Sequence, residues 1–266
     1  MGYMLNKKTI LITNDDGFEA VGLKHLVEAL QPIANIVVVA PDRNQSACGH
    51  SMTLNRPLKM MSFDDDSYTI DGTPTDCVFV SLHTLFKDIK PDLLISGINI
   101  GSNMGEDITY SGTVAGAMEA VLHKVPAIAI SQVYNNLNSN ENKDDWDFEL
   151  AKQTIVKISE KILKDQFPLG ERKLLNINIP QIKPSDCNGI KITKAGYREY
   201  GDDIHSHHNP RGEEFHWIGL HPLIWQSDEQ KNCDFEAIKA KYVSITPIQL
   251  DLTSYNDIDK LKEWIL

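Results

Sequence analysis

Short apolar runs alternate with helically spaced segments along the first two thirds of the chain. Thr9–Thr13 is a continuous, mainly apolar run that ends at the turn-forming sequence Asn14-Asp15-Asp16-Gly17. In Val21–Leu30 the apolar residues recur every three or four positions, and Pro32 then stops the pattern. The first pattern predicts a strand covered on both faces, and the second predicts an amphipathic helix.

The same alternation continues to about residue 180 and predicts the fold class. Strands that alternate with helices at this spacing form a parallel, doubly wound α/β sheet. A polar stretch, Asn135–Asp147, interrupts the pattern and is expected to be a surface loop. The remaining strands are predicted at Ile36–Ala40, Asp92–Ser96, Ala127–Ser131 and Leu174–Ile179, and the remaining helices at Thr75–Phe86, Thr113–His123 and Phe148–Lys164.

After residue 190 the chain changes character. Short β-like segments at Ile190–Thr193, Glu214–Ile218 and Val243–Thr246 are separated by turns, and we expect no helix of comparable weight between 190 and 250. Asn256–Ile265 predicts a short closing amphipathic helix. We therefore expect one domain over residues 1–266. Its core would comprise about 1–190 and 243–266, and a β-rich arm would comprise about 190–242.

Charge and cysteine usage narrow the function classes. The formal net charge of −11 argues against a grip on long nucleic acid, which needs a basic footprint. A small phosphorylated ligand remains compatible with it if a metal and backbone N–H groups supply positive potential locally. The four cysteines form no CxxC pair, which argues against a zinc cage or a disulfide framework.

Hydropathy gives an expectation for the compartment. No apolar stretch reaches the roughly 20 residues that a membrane helix needs. The first ten residues contain no apolar segment of the kind found in signal peptides. We expect a cytoplasmic protein without a membrane partner.

Polar clusters follow three of the predicted strands. They are Asn14–Gly17, Asp42–Ser46, and Gly97–Asn99 with the loop that leads to Thr113. In an open parallel sheet, ligands bind beyond the carboxyl ends of the strands. The adjacent carboxylates of Asp15 and Asp16 repel each other unless a cation lies between them. Oxygen ligands alone suit Mg²⁺ or Mn²⁺ rather than zinc.

The third loop, GINIGSNMGEDITYSGT, contains four glycines and leads into a helix at Thr113. Glycine allows the backbone to approach a ligand, and a helix N-terminus presents unpaired N–H groups to an anion. Ser111, Gly112 and Thr113 are therefore candidates for a phosphate seat. A metal site and a phosphate seat at neighbouring strand ends indicate phosphoryl chemistry.

Taken singly, each of these features has a plainer interpretation. An isolated Asp-Asp-Gly is usually a turn, and a lone Ser46 would be a surface serine. We interpret His50 as a packing or surface histidine. The histidines at 205, 207 and 208 are interpreted as part of a solvated loop. Only the joint occurrence of the paired carboxylates, Ser46 and the glycine-rich loop at consecutive strand ends favours the functional interpretation.

At these positions the chain resembles the SurE (survival protein E) family of 5′/3′-nucleotidases, over nearly its whole length. Six segments in the same order make a chance match very improbable. Ser102 and Gln45 depart from residues that are frequent in the family. The resembling segments are ILITNDDG (10–17), VVAPDRNQSACGHSMT (38–53), DGTPTDCV (71–78), LLISGINIGSNMGEDITYSGTVAGAMEA (93–120), NPRGEEFHWIG (209–219) and VSITPIQLDLT (243–253).

The resemblance implies a Rossmann-like core and a set of site residues. It assigns Asp15, Asp16 and Asn99 to catalysis, and these three with Ser46 to one divalent cation per subunit, Mg²⁺ or Mn²⁺. It places Asn103, Ser111, Gly112 and Thr113 around the phosphate. It also implies homodimers or homotetramers formed by exchange of the β-rich arm around residues 195–220.

The implied reaction is hydrolysis of nucleoside 5′- and 3′-monophosphates and, in some members, of short polyphosphate. We expect a metal-activated water to attack phosphorus directly. An aspartyl-phosphate on Asp15 or Asp16 is the less favoured route, because the resemblance assigns both residues to the metal.

Two other function classes share parts of this pattern. A nucleotide-binding regulatory module without hydrolysis would share the fold, but it has no reason to set paired carboxylates against an anionic ligand. A nicotinamide-dependent dehydrogenase would need GxGxxG after the first strand, where this chain has NDDGFEAVG.

Overall fold

A computed structural model describes residues 7–133, 146–164, 167–201, 203–219, 224–225 and 231–266. The helices are α1 Val21–Leu30, α2 Pro74–Thr84, α3 Gly112–Leu122, α4 Glu149–Lys164, α5 Asp234–Lys239 and α6 Ile258–Ile265. The strands are β1 Thr9–Thr13, β2 Asn35–Pro41, β3 Met60–Ser62, β4 Ser67–Ile70, β5 Leu93–Ile100, β6 Ala127–Val133, β7 Lys173–Pro180, β8 Ile190–Ile192, β9 Arg198–Glu199, β10 Ile204–His208, β11 Glu214–Ile218, β12 Ile224–Trp225 and β13 Val243–Gln249.

Nine strands form one sheet in the order β3-β4-β2-β1-β5-β6-β7-β13-β8. Strand β1 lies between β2 and β5 and is parallel to both, with Ile10 opposite Ile36 and Leu93. The antiparallel pairs are β3 with β4 and β7 with β13. The prediction of a doubly wound, mostly parallel α/β sheet is therefore confirmed.

Alternate residues of β1 enter two separate apolar layers. Ile10 and Ile12 pack in the layer that contains leucines of α1 and isoleucines of α4. Leu11 packs on the other face, in the layer formed with α2 and α3. Both layers exclude water, and burying a side chain of this size contributes about 1.5–3 kcal/mol. Helices cover both faces of the sheet, so a ligand can reach the sheet at the ends of its strands.

Local sequence explains where the helices next to the site begin. Thr73 caps α2 in a reciprocal arrangement with Asp76, and Pro74 fills the first helical position. Ser111 caps α3 by accepting a hydrogen bond from the Val114 amide. At the start of each of these helices, a side chain therefore accepts a hydrogen bond from a backbone amide that has no acceptor within the helix.

The third predicted strand is longer than its apolar run. Strand β5 continues to Ile100, and its pairing with β6 shifts register between Ser96 and Asn99. Gly97 has φ +138°, and a Cβ there would lie 2.3 Å from the Ile130 carbonyl oxygen. A glycine is required at this position, because it lets β5 change register without leaving the sheet. The shift carries Asn99 to the ligand edge.

Between residues 190 and 250 the structure contains a short helix of six residues, shorter than α1 to α4, which the sequence pattern did not predict. Helix α5 forms there, because Asp234 at its first turn accepts backbone hydrogen bonds and Phe235 is buried. Most of the predicted loop Asn135–Asp147 lies outside the described residues. Its described end was predicted wrongly as surface, because Trp146 is buried in the core beside Phe148.

The C-terminal third divides between the sheet and the surface. Strands β13 and β8 extend the large sheet, whereas β10 and β11 form a hairpin whose strand residues are all exposed. In α6 no residue is buried against the chain. Within the described residues, no helix combines the length and the apolarity needed to cross a membrane.

Candidate active site

The carboxyl ends of β1, β2 and β5 open into one cleft of about 240 Å³. Six of the eight predicted site residues line it, which brings together side chains from widely separated parts of the sequence. Its lining residues are Asp15, Asp16, Ser46, Ala47, Asn99, Ile100, Gly101, Ser102, Asn103, Asp107, Tyr110 and Ser111.

Asp15 is the buried carboxylate of the cleft. Its side chain accepts a hydrogen bond of 2.5 Å from the Thr113 hydroxyl at Oδ1. Burial raises the pKa of Asp15 to about 6; the Thr113 bond opposes this rise and the charge of Asp16 adds to it. Asp15 is therefore a desolvated acid beside a second acid, and a bound cation would relieve both effects.

The loop after β2 brings Ser46 to the cleft. The Gln45 amide donates a 2.7 Å hydrogen bond to the Asp15 carbonyl, which ties this loop to the end of β1. The Ser46 amide donates to Asn44 Oδ1, and Ala47 then adopts a left-handed conformation. These contacts form a tight turn and leave the Ser46 side chain exposed at the cleft.

Asn99 is held at the register shift of β5. Its Nδ2 donates a 2.9 Å hydrogen bond to the Gly101 carbonyl, which fixes the amide plane. Across the cleft, Asp16 Oδ2 accepts a long hydrogen bond of 3.4 Å from the Ile100 amide. The ends of β1 and β5 thus contact each other at the site.

The Asn103 backbone is fixed by two asparagines of β7. The Asn103 amide donates to Asn178 Oδ1, and its carbonyl accepts from Nδ2 of both Asn176 and Asn178. Its own side-chain Nδ2 donates to Ser131 Oγ at 2.7 Å. Because Asn176 and Asn178 are fully buried, this polar group forms a rigid floor under the cleft loop.

The three predicted phosphate-seat residues do not share one position. Ser111 lines the cleft, and its hydroxyl oxygen is used in capping α3. Gly112 and Thr113 lie behind Asp15 instead. A Cβ on Gly112 would lie 2.7 Å from Asp15 Cβ, and Thr113 is fully buried with its hydroxyl bonded to Asp15.

The outer wall of the cleft contains residues that the sequence reasoning did not identify. Asp107 Oδ2 pairs with Arg198 Nη2 at 2.8 Å, and Asp107 Oδ1 accepts a hydrogen bond from the Tyr200 hydroxyl. The exposed Tyr110 ring lies edge-on to Tyr200. Burial and the bond to Asp107 raise the pKa of the Tyr200 hydroxyl. No sequence signal links residues 107 and 198, because the pair forms only in the folded chain.

A second anchor links the cleft loop to α5. The buried Asp234 carboxylate accepts hydrogen bonds from the amides of Gly105, Gly196 and Phe235. Burial raises the pKa of Asp234 despite these three donors. The loop that carries Asn103 is therefore held from both β7 and α5.

None of the histidines at positions 50, 123, 205, 207 and 208 lines the cleft. His50 Nε2 lies 2.9 Å from Glu119 Oε2, and His123 Nε2 lies 2.9 Å from Glu119 Oε1. Residues 205, 207 and 208 lie in strand β10 and not in a loop. Among the described residues, no group of three or more histidines, cysteines, aspartates or glutamates could hold a metal.

The donor set that converges in the cleft is two carboxylates, a hydroxyl and an amide. Every candidate donor atom is oxygen, which fits a hard divalent cation and not zinc or copper. The buried carboxylate of Asp15, with its raised pKa, gives such an ion a charge to neutralise. The residues present therefore fit a magnesium or manganese site.

Comparisons with known proteins identify the family. The family model described as Survival protein SurE matches residues 10–202. A protein named 5′-nucleotidase SurE from Aliarcobacter butzleri is 64% identical over 260 residues, which is 97% of this chain and 99% of that protein. One of the same name from Helicobacter hepaticus is 56% identical over 264 residues, covering 97% and 99%. The crystal structure of the SurE protein from Aquifex aeolicus superimposes with a TM-score of 0.79 at 40% identity, covering 96% of this chain and 99% of that one. Matches of this extent, on a chain with this fold and this cleft, mean that the protein belongs to the SurE family.

Proposed function

We propose that this protein is a metal-dependent phosphomonoesterase that hydrolyses nucleoside 5′- and 3′-monophosphates to nucleoside and phosphate. The observation that carries the proposal is the convergence of Asp15, Asp16, Ser46 and Asn99 on one cleft beside the start of α3. The names of the relatives, 5′-nucleotidase SurE, support the same activity. The cleft is small, and most of the residues that line it have polar side chains, which suits a phosphate group better than an extended polymer.

We assign Asp15, Asp16, Ser46 and Asn99 to one divalent cation per subunit, Mg²⁺ or Mn²⁺. When bound, such an ion polarises a phosphoryl oxygen and lowers the pKa of the attacking water. Asp15 and Asp16 contribute the negative charge on which affinity for a hard cation depends. Because Asn99 Nδ2 donates its hydrogen bond to Gly101, Oδ1 would be the atom available to hold the ion.

The phosphate is assigned to the opposite side of the cleft. Ser111 Oγ accepts the hydrogen bond from Val114, so its hydroxyl proton remains to donate to a phosphoryl oxygen. Asn103 lines the same side on its asparagine floor. The amides at the start of α3 favour an anion there. We propose that Gly112 and Thr113 contribute to the phosphate seat indirectly, because both contact Asp15 and hold it in position.

Compartment and assembly complete the proposal. The four cysteines are free thiols, which supports the expectation of a reducing, cytoplasmic compartment. Phe215, Trp217 and Ile218 are exposed on the hairpin. Apolar groups of this kind favour burial against another subunit, so we propose a homodimer or homotetramer.

The decisive experiment is phosphate release from a panel of nucleoside 5′- and 3′-monophosphates and short polyphosphate, with Mg²⁺, with Mn²⁺ and with chelator. We expect release with metal, and its loss with chelator. Nucleotide binding without release under any of these conditions would favour the regulatory module and contradict the phosphomonoesterase.

A further inference from the structure

Glu119 is a buried carboxylate outside the cleft, and it joins two elements that carry site residues. It lies in the interior of α3, six residues after Thr113 and therefore about 9 Å further along the helix axis. Its Oε2 contacts Nε2 of His50 at 2.9 Å, and His50 belongs to the loop that carries Ser46. The Glu119 side chain is 5% exposed and that of His50 is 31% exposed, so this contact is partly shielded from water.

Helix α3 is thus attached to both ligand-bearing loops. Thr113, at its start, holds Asp15 at the end of β1. Glu119, six residues or about 1.7 turns later, holds His50 in the middle of the loop that joins β2 to β3. The distance between the two attachments is set by a rigid helix.

Ser46 lies between two fixed points of its loop. On one side, the Gln45 amide is bonded to the Asp15 carbonyl. On the other side, the Gly49 amide is bonded to the Tyr110 carbonyl, and His50 to Glu119. The Ser46 side chain itself is exposed, so its position depends on these flanking attachments.

The charge of Glu119 makes the His50 contact strong. Burial alone would raise the pKa of Glu119, but hydrogen bonds from His50 and His123 outweigh burial and hold it below its ordinary range. The carboxylate is therefore ionised at neutral pH. Hydrogen bonds to a charged group are roughly twice as strong as those between neutral groups.

We propose that His50 and Glu119 are positioning residues for the metal site: their contact holds the loop after β2 so that Ser46 reaches the cation held by Asp15 and Asp16. This inference rests on the proposed function, because it requires that Ser46 be a metal ligand. It predicts a defect in metal affinity first, with nucleotide binding preserved, since Ser111 and Asn103 lie outside the loop that carries Ser46 and His50.

His123 provides a matched control. It contacts the same carboxylate at the same 2.9 Å distance, but through Oε1 and from the end of the same helix. His123→Ala therefore removes an equivalent hydrogen bond without touching the loop of Ser46. His50→Gln retains an N–H donor near the position of Nε2.

The test is Mn²⁺ binding by calorimetry to the full-length wild type, His50→Ala, His50→Gln and His123→Ala, with thermal unfolding of each. We expect His50→Ala to bind Mn²⁺ about 10-fold more weakly, as when an outer-shell partner of a metal ligand is lost. His50→Gln should recover most of this affinity, and His123→Ala should bind Mn²⁺ as the wild type does. Nucleotide KM at saturating Mn²⁺ should be unchanged in all four proteins.

Equal Mn²⁺ affinity in His50→Ala and His123→Ala would overturn the inference, because a purely structural role affects both variants alike. Failure of His50→Gln to improve on His50→Ala would overturn it as well. A wild type that binds Mn²⁺ but releases no phosphate from any nucleotide would contradict the proposed function, while the comparison of Mn²⁺ affinities would still decide the role of His50.

Discussion

The hydroxyl of Thr113 donates a hydrogen bond of 2.5 Å to Oδ1 of Asp15, across 98 positions of sequence. Both side chains are buried, so water cannot replace the bond if it is lost. The start of α3 therefore acts on the metal site by supporting a carboxylate, and not through the Thr113 side chain in the cleft wall.

The first prediction concerns this bond. Thr113→Val keeps the volume but leaves a buried carboxylate oxygen without its donor, and the free energy of unfolding should fall by about 1–3 kcal/mol. We expect kcat/KM to fall by about 10-fold, because Asp15 loses its fixed orientation. Urea denaturation and steady-state kinetics provide the measurements. The exposed Thr84, which bonds only within its own helix, gives the control Thr84→Val, expected to be neutral. Equal behaviour of the two variants would contradict the assigned role of Thr113.

A second prediction concerns the charge of Asp15. Asp15→Asn removes a buried negative charge, so calorimetry should record a sharp loss of Mn²⁺ affinity and hydrolysis should fall by several orders of magnitude. The metal-free protein should unfold at a higher temperature than the wild type, since burial and the neighbouring Asp16 disfavour the charge. Asp65→Asn, on an exposed loop before β4, should change neither property. Nucleotide hydrolysis at the parental rate by a well-folded Asp15→Asn protein that binds no metal would refute the metal mechanism.

The third prediction concerns the contact between Gly112 and Asp15. A methyl group at residue 112 would lie 2.7 Å from Asp15 Cβ and 2.8 Å from Cys48 Sγ, so one of these groups must move. Gly112→Ala should therefore lower both thermal stability and Mn²⁺ affinity. Gly170→Ala is the matched control, because a Cβ there meets nothing within 4 Å. Wild-type Mn²⁺ affinity in Gly112→Ala would mean that Asp15 can shift without loss of the site.

A fourth prediction follows from the lowered pKa of Glu119. Its charged form is stabilised in the folded state, so it contributes stability that is complete above its ordinary pKa of 4.5 and is lost as pH falls through the lower folded pKa. Glu119→Gln cannot titrate. The difference in unfolding free energy between the wild type and Glu119→Gln should therefore favour the wild type near neutral pH and shrink below 4.5. Denaturation curves measured across the acid range would reveal it, and a difference independent of pH there would contradict the prediction.

The fifth prediction concerns assembly. The Gly219 amide donates to the Asp203 carbonyl, so the two ends of the exposed hairpin adjoin. Replacing residues 204–218 with a short Gly-Ser link should keep the sheet folded and lower the mass measured by light scattering. Trp217→Ser is a milder test of the same surface. An intact protein that is already monomeric at micromolar concentration would contradict the assembly proposal.

Apolar pattern alone was enough to predict the central strands and the two-sided sheet. The strand Thr9–Thr13 and the helix Val21–Leu30 have the predicted bounds. An unbroken apolar run can be buried on both faces as a strand, and a 3.6-residue apolar repeat can be buried along one face of a helix. Strand β4 was not predicted, because Ser67–Ile70 is short and half polar, second from one edge of the sheet. Helix α5 was not predicted either, since its six residues offer less than two turns of periodicity.

The site was predictable to the level of strand ends and no further. The position of Asp15, Asp16 and Asn99 at the cleft could be predicted because polar residues follow apolar runs at one edge of a parallel sheet, and their role as metal ligands stays a prediction. Thr113 was predicted as a residue of the seat, whereas its hydroxyl faces Asp15. The pairing of His50 with Glu119 depends on how a loop crosses a helix 69 positions away, and no local pattern encodes that.

The contacts that hold the cleft loop determine the order in which parts of the site can form during translation. All proposed metal ligands lie between residues 15 and 99, and a ribosome therefore delivers them before residues 176–234. Asn103 and Gly105, however, are held by Asn176, Asn178 and Asp234. In the nascent chain, the acidic ligands are therefore exposed before the residues that hold the neighbouring loop have been synthesised. The cleft takes its final shape only when residue 234 has left the exit tunnel.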